Sequence, residues 1–184
     1  MDALKALHTR TSVPKLEEPG PNGEEMKNLF TAAFRTADHA LLRPWRFLVI
    51  SGEARLRLGG LFVQAKLSDQ PDSTPDELKK LRGKPLRAPT IIVTIVCHKE
   101  HPKVPAIEQD LSAGGATQHM LLAAHAMGLG AIWKTGSMAY HPIVSQGLGL
   151  KEGEKLISFL YLGHIAGKVK TLRELKIDDF VQWW

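Results

Sequence analysis

Seven residues constrain the fold most. Thr90-Ile-Ile-Val-Thr-Ile-Val96 is an unbroken run of apolar and β-branched residues. Branching at Cβ suits a pleated strand and is poorly accommodated in a helix. A strand with no polar alternation is covered on both faces. The run therefore predicts a central strand with packed layers above and below it. A chain of 184 residues is long enough to supply such layers within one domain.

The remaining pattern fills in those layers. Trp45-Arg-Phe-Leu-Val-Ile50 follows Pro44 and reads as a second strand, residues 129–133 as a third and 156–162 as a fourth. Residues 2–9 predict a first helix. Pro19-Gly-Pro-Asn-Gly23 is a turn cluster, and Asn22 caps a second helix with Glu24 and Glu25 in its first turn. Met26, Leu29, Phe30, Ala33 and Phe34 give that helix an apolar face. Residues 53–67, 76–82 and 104–127 predict further helices, the last carrying Ser112-Ala-Gly-Gly-Ala116 at its middle. Adjacent glycines weaken a helix by about 1 kcal/mol each, so a second backbone is expected to approach there. The order α α β α α β α β α β fits one central sheet with helices on both faces, α+β or α/β.

Composition narrows the class. Apolar residues make up 43% and charged residues 23%, as in a soluble globular protein. Cys97 is the only cysteine, so no internal disulfide forms. The opening residues do not read as a signal peptide, and the longest apolar run, residues 88–97, is too short to span a bilayer. A cytoplasmic protein away from membranes is the simplest expectation. The net charge of +5 raises nucleic acid as a partner. The basic residues are scattered, however, without interleaved aromatics, and read as a solvated surface.

Gly128-Leu-Gly-Ala-Ile-Trp-Lys-Thr-Gly136 differs by one residue from a phosphate-binding P-loop. A P-loop needs a strand before it and a helix N-terminus after it. Here a helix precedes, and Trp133 replaces the glycine that admits the phosphate. A helix C-cap followed by a strand accounts for the letters. His98 and His101 lack a third ligand nearby, so a solvated loop is expected there rather than a metal site. Cys97 ends an apolar strand and reads as a structural thiol. Arg10-Thr11-Ser12 ends a helix. A guanidinium beside a hydroxyl can hold phosphate, although a basic helix terminus needs no ligand to explain it.

Several segments in order alter that balance. The opening helix ending in Arg10-Thr11-Ser12 resembles the start of the FMN-dependent nitroreductase family. Ala37-Asp-His39 with Arg43-Pro-Trp-Arg-Phe47, Leu86-Arg-Ala-Pro89, Trp133-Lys-Thr-Gly136 and Phe159-Leu-Tyr-Leu-Gly163 are similar to its later motifs. The matches cover nearly the whole chain and look most like the family's short bacterial branch. The resemblance implies an α+β fold with a central mixed sheet flanked by helices, in an intertwined homodimer with FMN at the interface.

Residue roles follow from the same resemblance. Arg10, Thr11 and Ser12 would hold the phosphate and ribityl end. Trp133, Lys134, Thr135 and Gly136 would lie beside the flavin ring. Arg35 and His39 would reach the flavin of the other subunit. Ala123, Ala124, His125, Ala126, Met127 and Gly128 match a stretch assigned to the nicotinamide nucleotide. Lys168 or Lys170 would add a phosphate contact. No metal is implied.

The implied activity is ping-pong transfer of electrons from NAD(P)H to a nitroaromatic or quinone-like small molecule. A dehydrogenase or enone reductase on the same flavin, or a flavin-binding protein without turnover, remains open. Three departures stand out. Thr11 replaces a usual Arg or His, Lys134-Thr135 replaces Arg-Ser, and Arg43 stands where Gln is common, placing a cation near the entrance. No residue is identified for the N1/O2 edge of the ring.

Overall fold

The computed structural model describes residues 1–184. Its elements run α1 (Ala3–Thr9), β1 (Leu16–Glu17), α2 (Gly23–Ala33), β2 (Trp45–Ser51), α3 (Ala54–Asp69), α4 (Pro75–Arg82), β3 (Thr90–Cys97), α5 (Ala106–Ala126), β4 (Gly130–Lys134), α6 (Pro142–Gly147) and β5 (Glu154–Ile165). Local chemistry sets many of these boundaries. The Asp2 side chain accepts from the Leu4 and Lys5 amides at the start of α1. Asn22 and Glu25 form a reciprocal capping box on α2, and Thr74 and Glu77 form another on α4. Gly128, at φ +82°, closes α5 where the C-cap was expected. No helix is long and apolar enough to cross a membrane.

The sheet order is β1-β5-β3-β2. The second edge of β5 pairs with β4 through residues 159–163 and with β1 through residues 164–165. All four pairings are antiparallel. The mixed sheet that the resemblance implies is thus corrected, within one chain, to an antiparallel one. Strand direction depends on how the connections return, and side-chain periodicity offers no check on it. Helices do cover both faces. Ile91, Val93 and Ile95 of β3 pack with residues of α3 and α6, while Ile92 packs with residues of α2 and α5. The polar residue at the middle of β3, Thr94, is satisfied in the core by the Thr117 hydroxyl of α5, which donates to it at 2.8 Å. Ser158 Oγ lies 3.1 Å from the same Thr117 oxygen.

A charged clamp ties β2 to the start of β5. Arg46 donates Nε–H and Nη2–H to the two oxygens of Glu154 at 2.9 and 2.6 Å, and Nη2 also reaches the Gly149 carbonyl. The Arg46 hydrogen bonds, with help from the Lys151 amide and the Cys97 thiol, hold the Glu154 carboxyl down to about 2. A carboxyl lowered on folding stabilises above its unfolded pKa, near 4.3, and loses that contribution as pH falls toward 2. Glu154→Gln should therefore lower stability at pH 7 by about 1–3 kcal/mol, the lower part of that range if the partly exposed Arg46 is well screened. Urea unfolding should show the gap from wild type closing as pH falls below about 4. A gap independent of pH would show that the clamp acts by shape alone. Next to it, burial first and the Glu154 hydrogen bond second push the Cys97 thiol up to about 11. Such a thiol is not a nucleophile near neutral pH.

Candidate functional site

The site builds outward from the two ends of β4. At its start, the Val13 amide donates to the Ala131 carbonyl at 2.9 Å, fastening the segment Arg10-Thr11-Ser12 against the strand. Arg10 follows the last residue of α1, and its Nη1 is buried with no hydrogen-bond partner. A buried unpaired polar group costs roughly 1–3 kcal/mol, and more when charged. Such an atom signals a ligand or a strain reservoir. An anionic group would satisfy it. Ser12 is exposed beside it and Thr11 half-buried.

At the far end of β4, the chain turns through Thr135 and Gly136. Gly136 has φ +71° and ψ −176°, a region open almost only to glycine, and a Cβ there would meet nothing within 4 Å. Lys134, Thr135 and Gly136 line a cavity of about 280 Å³ with Lys84, Arg87, Ser137 and Met138, floored by Phe62, Phe159 and Tyr161. Three cations line it and no acid does. Burial pushes the Tyr161 hydroxyl up to about 12, so it stays a neutral donor. Neither Lys84 nor Arg87 was given a role from the sequence. Arg87 stood only inside the motif Leu86-Arg-Ala-Pro89, and Lys84 read as one more scattered surface cation. The short 3-10 turn Lys84–Arg87 brings them to the β4 end, a long-range event with no local signature.

The glycine pair of α5 serves this site. Within its own chain, side chains rather than a backbone approach it. The Thr36 hydroxyl occupies the place where a Gly115 Cβ would stand, and the Trp133 ring edge comes within 3.6 Å of the same position on Gly114. Ser112 Oγ donates to the Ala37 carbonyl at 2.8 Å. The middle of α5 thus seats both Trp133 and the turn that leads to His39.

That turn carries unusual backbone. Ala40, Leu41 and Arg43 have φ of +59°, +53° and +48°. Left-handed conformations cost roughly 1–2 kcal/mol for ordinary L-residues and cluster where a site over-determines them. Asp38 braces the loop by accepting the Arg43 amide at 2.7 Å. Arg35 and Arg43 line a wider hollow of about 700 Å³ with Phe34, Leu41, Trp45 and Phe47. His39 is exposed, with Nδ1 2.6 Å from Glu108 Oε2. Within one chain, neither Arg35 nor His39 lines the cavity of Gly136.

The α5 end, residues 123–128, lies at the Arg10 end of β4. Ala124 is fully buried, so its side chain cannot touch a ligand. Ala123, His125 and Met127 are half-buried, and Ala126 and Gly128 exposed. Lys168 and Lys170 stand exposed on the tail. His98 is committed to Asp110 and the Gly153 carbonyl, at 2.6 and 3.2 Å.

The protein is thus of α+β class, an antiparallel sheet between two helical layers, with an unpartnered arginine at one end of an edge strand and a cationic cavity beside a glycine at the other. The chain belongs to the nitroreductase family, whose model matches residues 7–164. It is 40% identical over 179 residues to YdjA of Escherichia coli (strain K12), an NAD(P)H nitroreductase by name, covering 97% of this chain and 96% of that one. Among solved structures it resembles a nitroreductase-like family protein from Bacillus cereus, with TM-score 0.83 and 22% identity over 99% of this chain and 95% of the other. It also resembles a Bacteroides fragilis nitroreductase with bound FMN, with TM-score 0.74 and 18% identity over 99% and 98%.

Proposed function

We propose that residues 1–184 form a single FMN-binding domain that passes electrons from NAD(P)H to nitroaromatic or quinone-like acceptors in a ping-pong cycle. The observation that carries this reading is the buried, unpartnered Nη1 of Arg10, which fits a phosphate monoester. From Ala131 to Gly136 the chain extends roughly 16 Å at about 3.3 Å per residue, a span suited to one mononucleotide. Arg10, Ser12 and the Thr11 backbone hold the phosphate and ribityl end. Trp133, Lys134, Thr135 and Gly136 line the ring.

Bound FMN supplies the acceptance and release of hydride. The chain supplies position and field. Lys84, Arg87 and Lys134 put positive charge where the ring gains electrons, a preorganised arrangement worth most in a site with little water. Gly136 lets the ring approach the backbone because it carries no Cβ. The nicotinamide nucleotide is met by the accessible part of residues 123–128. No side chain acts as a nucleophile, in keeping with the Cys97 thiol.

A homodimer completes the reading. Leu4, Leu7, Phe34, Ile107 and Leu111 are exposed, and Trp183 is 90% exposed on a tail that its own chain leaves bare. Apolar surface on this scale marks an interaction face. A second copy covers it and brings Arg35 and His39 to the partner's flavin.

Purified protein is expected to be yellow, to release FMN on denaturation, and to oxidise NAD(P)H with nitrofurazone or menadione as acceptor. Colourless protein that takes up no FMN on reconstitution would overturn the reading. Flavin-loaded protein that oxidises no NAD(P)H would overturn its enzymatic half.

A further inference from the structure

His125 sits in the last turn of α5, half-buried against the end of α1. Its Nε2 lies 2.9 Å from Thr9 Oγ1. The Thr9 hydroxyl already donates its only hydrogen to the Lys5 carbonyl at 2.6 Å. A hydroxyl has one hydrogen and two lone pairs, so Thr9 accepts here and Nε2–H donates. The neutral ring is therefore the Nε2-protonated tautomer. Its Nδ1 carries a bare lone pair and makes no hydrogen bond within the chain.

Arg10 adjoins Thr9 and carries the buried, unpartnered Nη1. Burial first, and the positive charge of Arg10 second, hold His125 below the ordinary imidazole range. No other charged group, from α1, α2, α5 or β4, adds to these two causes. The α5 end favours a cation through the helix macrodipole. Burial therefore keeps this ring neutral with the aid of one positive neighbour, and that neighbour is the proposed phosphate ligand. A dianion bound at Arg10 would reverse the sign of the local field and leave Nδ1 as a ready proton acceptor.

We infer that His125 belongs to the phosphate anchor with Thr9 and Arg10, and that it takes a proton on Nδ1 when a phosphate monoester binds, so that flavin is held more tightly as pH falls. This rests on the proposed FMN reading. It moves His125 from the nicotinamide nucleotide to the flavin phosphate. The sign follows from linkage. The imidazole has a low pKa without ligand and a higher one with it. Between those two values binding takes up a proton, so affinity rises with acidity, and above the higher value the effect vanishes.

The test is FMN titration of deflavinated full-length protein by flavin fluorescence, from about pH 5.5 to 8.5. FMN's own second ionisation near pH 6 weakens binding in acid. It is common to wild type and variant, so the ratio of their dissociation constants isolates His125. His125→Gln should bind FMN about tenfold more weakly than wild type near pH 6 and equally near pH 8.5. Riboflavin, which lacks the phosphate, should bind both alike at either pH. His125→Asn serves if the Gln variant does not fold. A ratio that stays constant with pH, or an equal loss with riboflavin, overturns the inference and leaves His125 as a packing contact for α1. Unchanged FMN affinity in Arg10→Ala would instead overturn the phosphate reading itself, and this inference with it.

Discussion

Arg10→Ala is expected to weaken FMN binding about tenfold to a hundredfold and to leave the chain folded. A charge-assisted contact to phosphate is worth roughly 1.5–3 kcal/mol, which converts to that range. The usual objection to such a test is that truncating a half-buried arginine harms the fold. Here the reverse is expected. The Arg10 Nη1 is buried without a partner, so the ligand-free protein carries its desolvation cost and gains no hydrogen bond from it. Removing the side chain relieves that cost. Without FMN, the Tm of Arg10→Ala should match or exceed that of wild type. With FMN, wild type should gain Tm by mass action while the variant gains less at the same concentration. A ligand-free Tm well below wild type would show that Arg10 is a structural residue, and unchanged FMN affinity would remove it from the site.

How much of this was legible beforehand depends on how far each signal reaches along the chain. The start of α2 was visible because Asn22 and Glu25 cap it within four residues of one another. The central strand was visible because seven side chains repeat one message. β1 was missed because its two residues are a strand only by pairing with Ile165 and His164, far along the chain. α6 was not located. Its six residues follow the irregular-looking Ser137-Met-Ala-Tyr-His141, and Pro142 reads as a breaker until it falls at the first helical position. In the site, Arg10 and Gly136 were named through the resemblance. Lys84 was not, because a lysine before a buried strand looks like ordinary solvated surface, and Arg87 stood in a matching motif without a role. Only the fold makes them face Lys134. The glycines of α5 were noticed for the right reason, a close approach. Within the chain, what approaches is the Thr36 hydroxyl, and no sequence rule distinguishes a hydroxyl from a backbone.

Two inactive variants should restore activity when their subunits are mixed. Arg10 is fastened through Val13 to β4, the strand that ends at Lys134 just before Gly136, so it is expected to serve the flavin of its own chain. Arg35 and His39 lie on the strained loop and its approach, outside the Gly136 cavity, and are assigned to the flavin of the second chain. Arg10→Ala is assayed at an FMN concentration that leaves its site mostly empty. The second variant is Arg35→Ala combined with His39→Ala. Its fold should survive, since both residues are exposed and the His39–Glu108 pair is a surface contact worth little. In a mixed dimer one site carries every defect and the other carries none. Random pairing makes about half the dimers mixed, so about a quarter of all sites are intact. Co-expression, or mild unfolding and refolding of the mixture, should bring activity to near that fraction of wild type. If all three residues served one flavin from one chain, every site would keep a defect. Activity that stays at the level of the separate variants, with subunit exchange shown by tag pull-down, would rule out a site shared between chains.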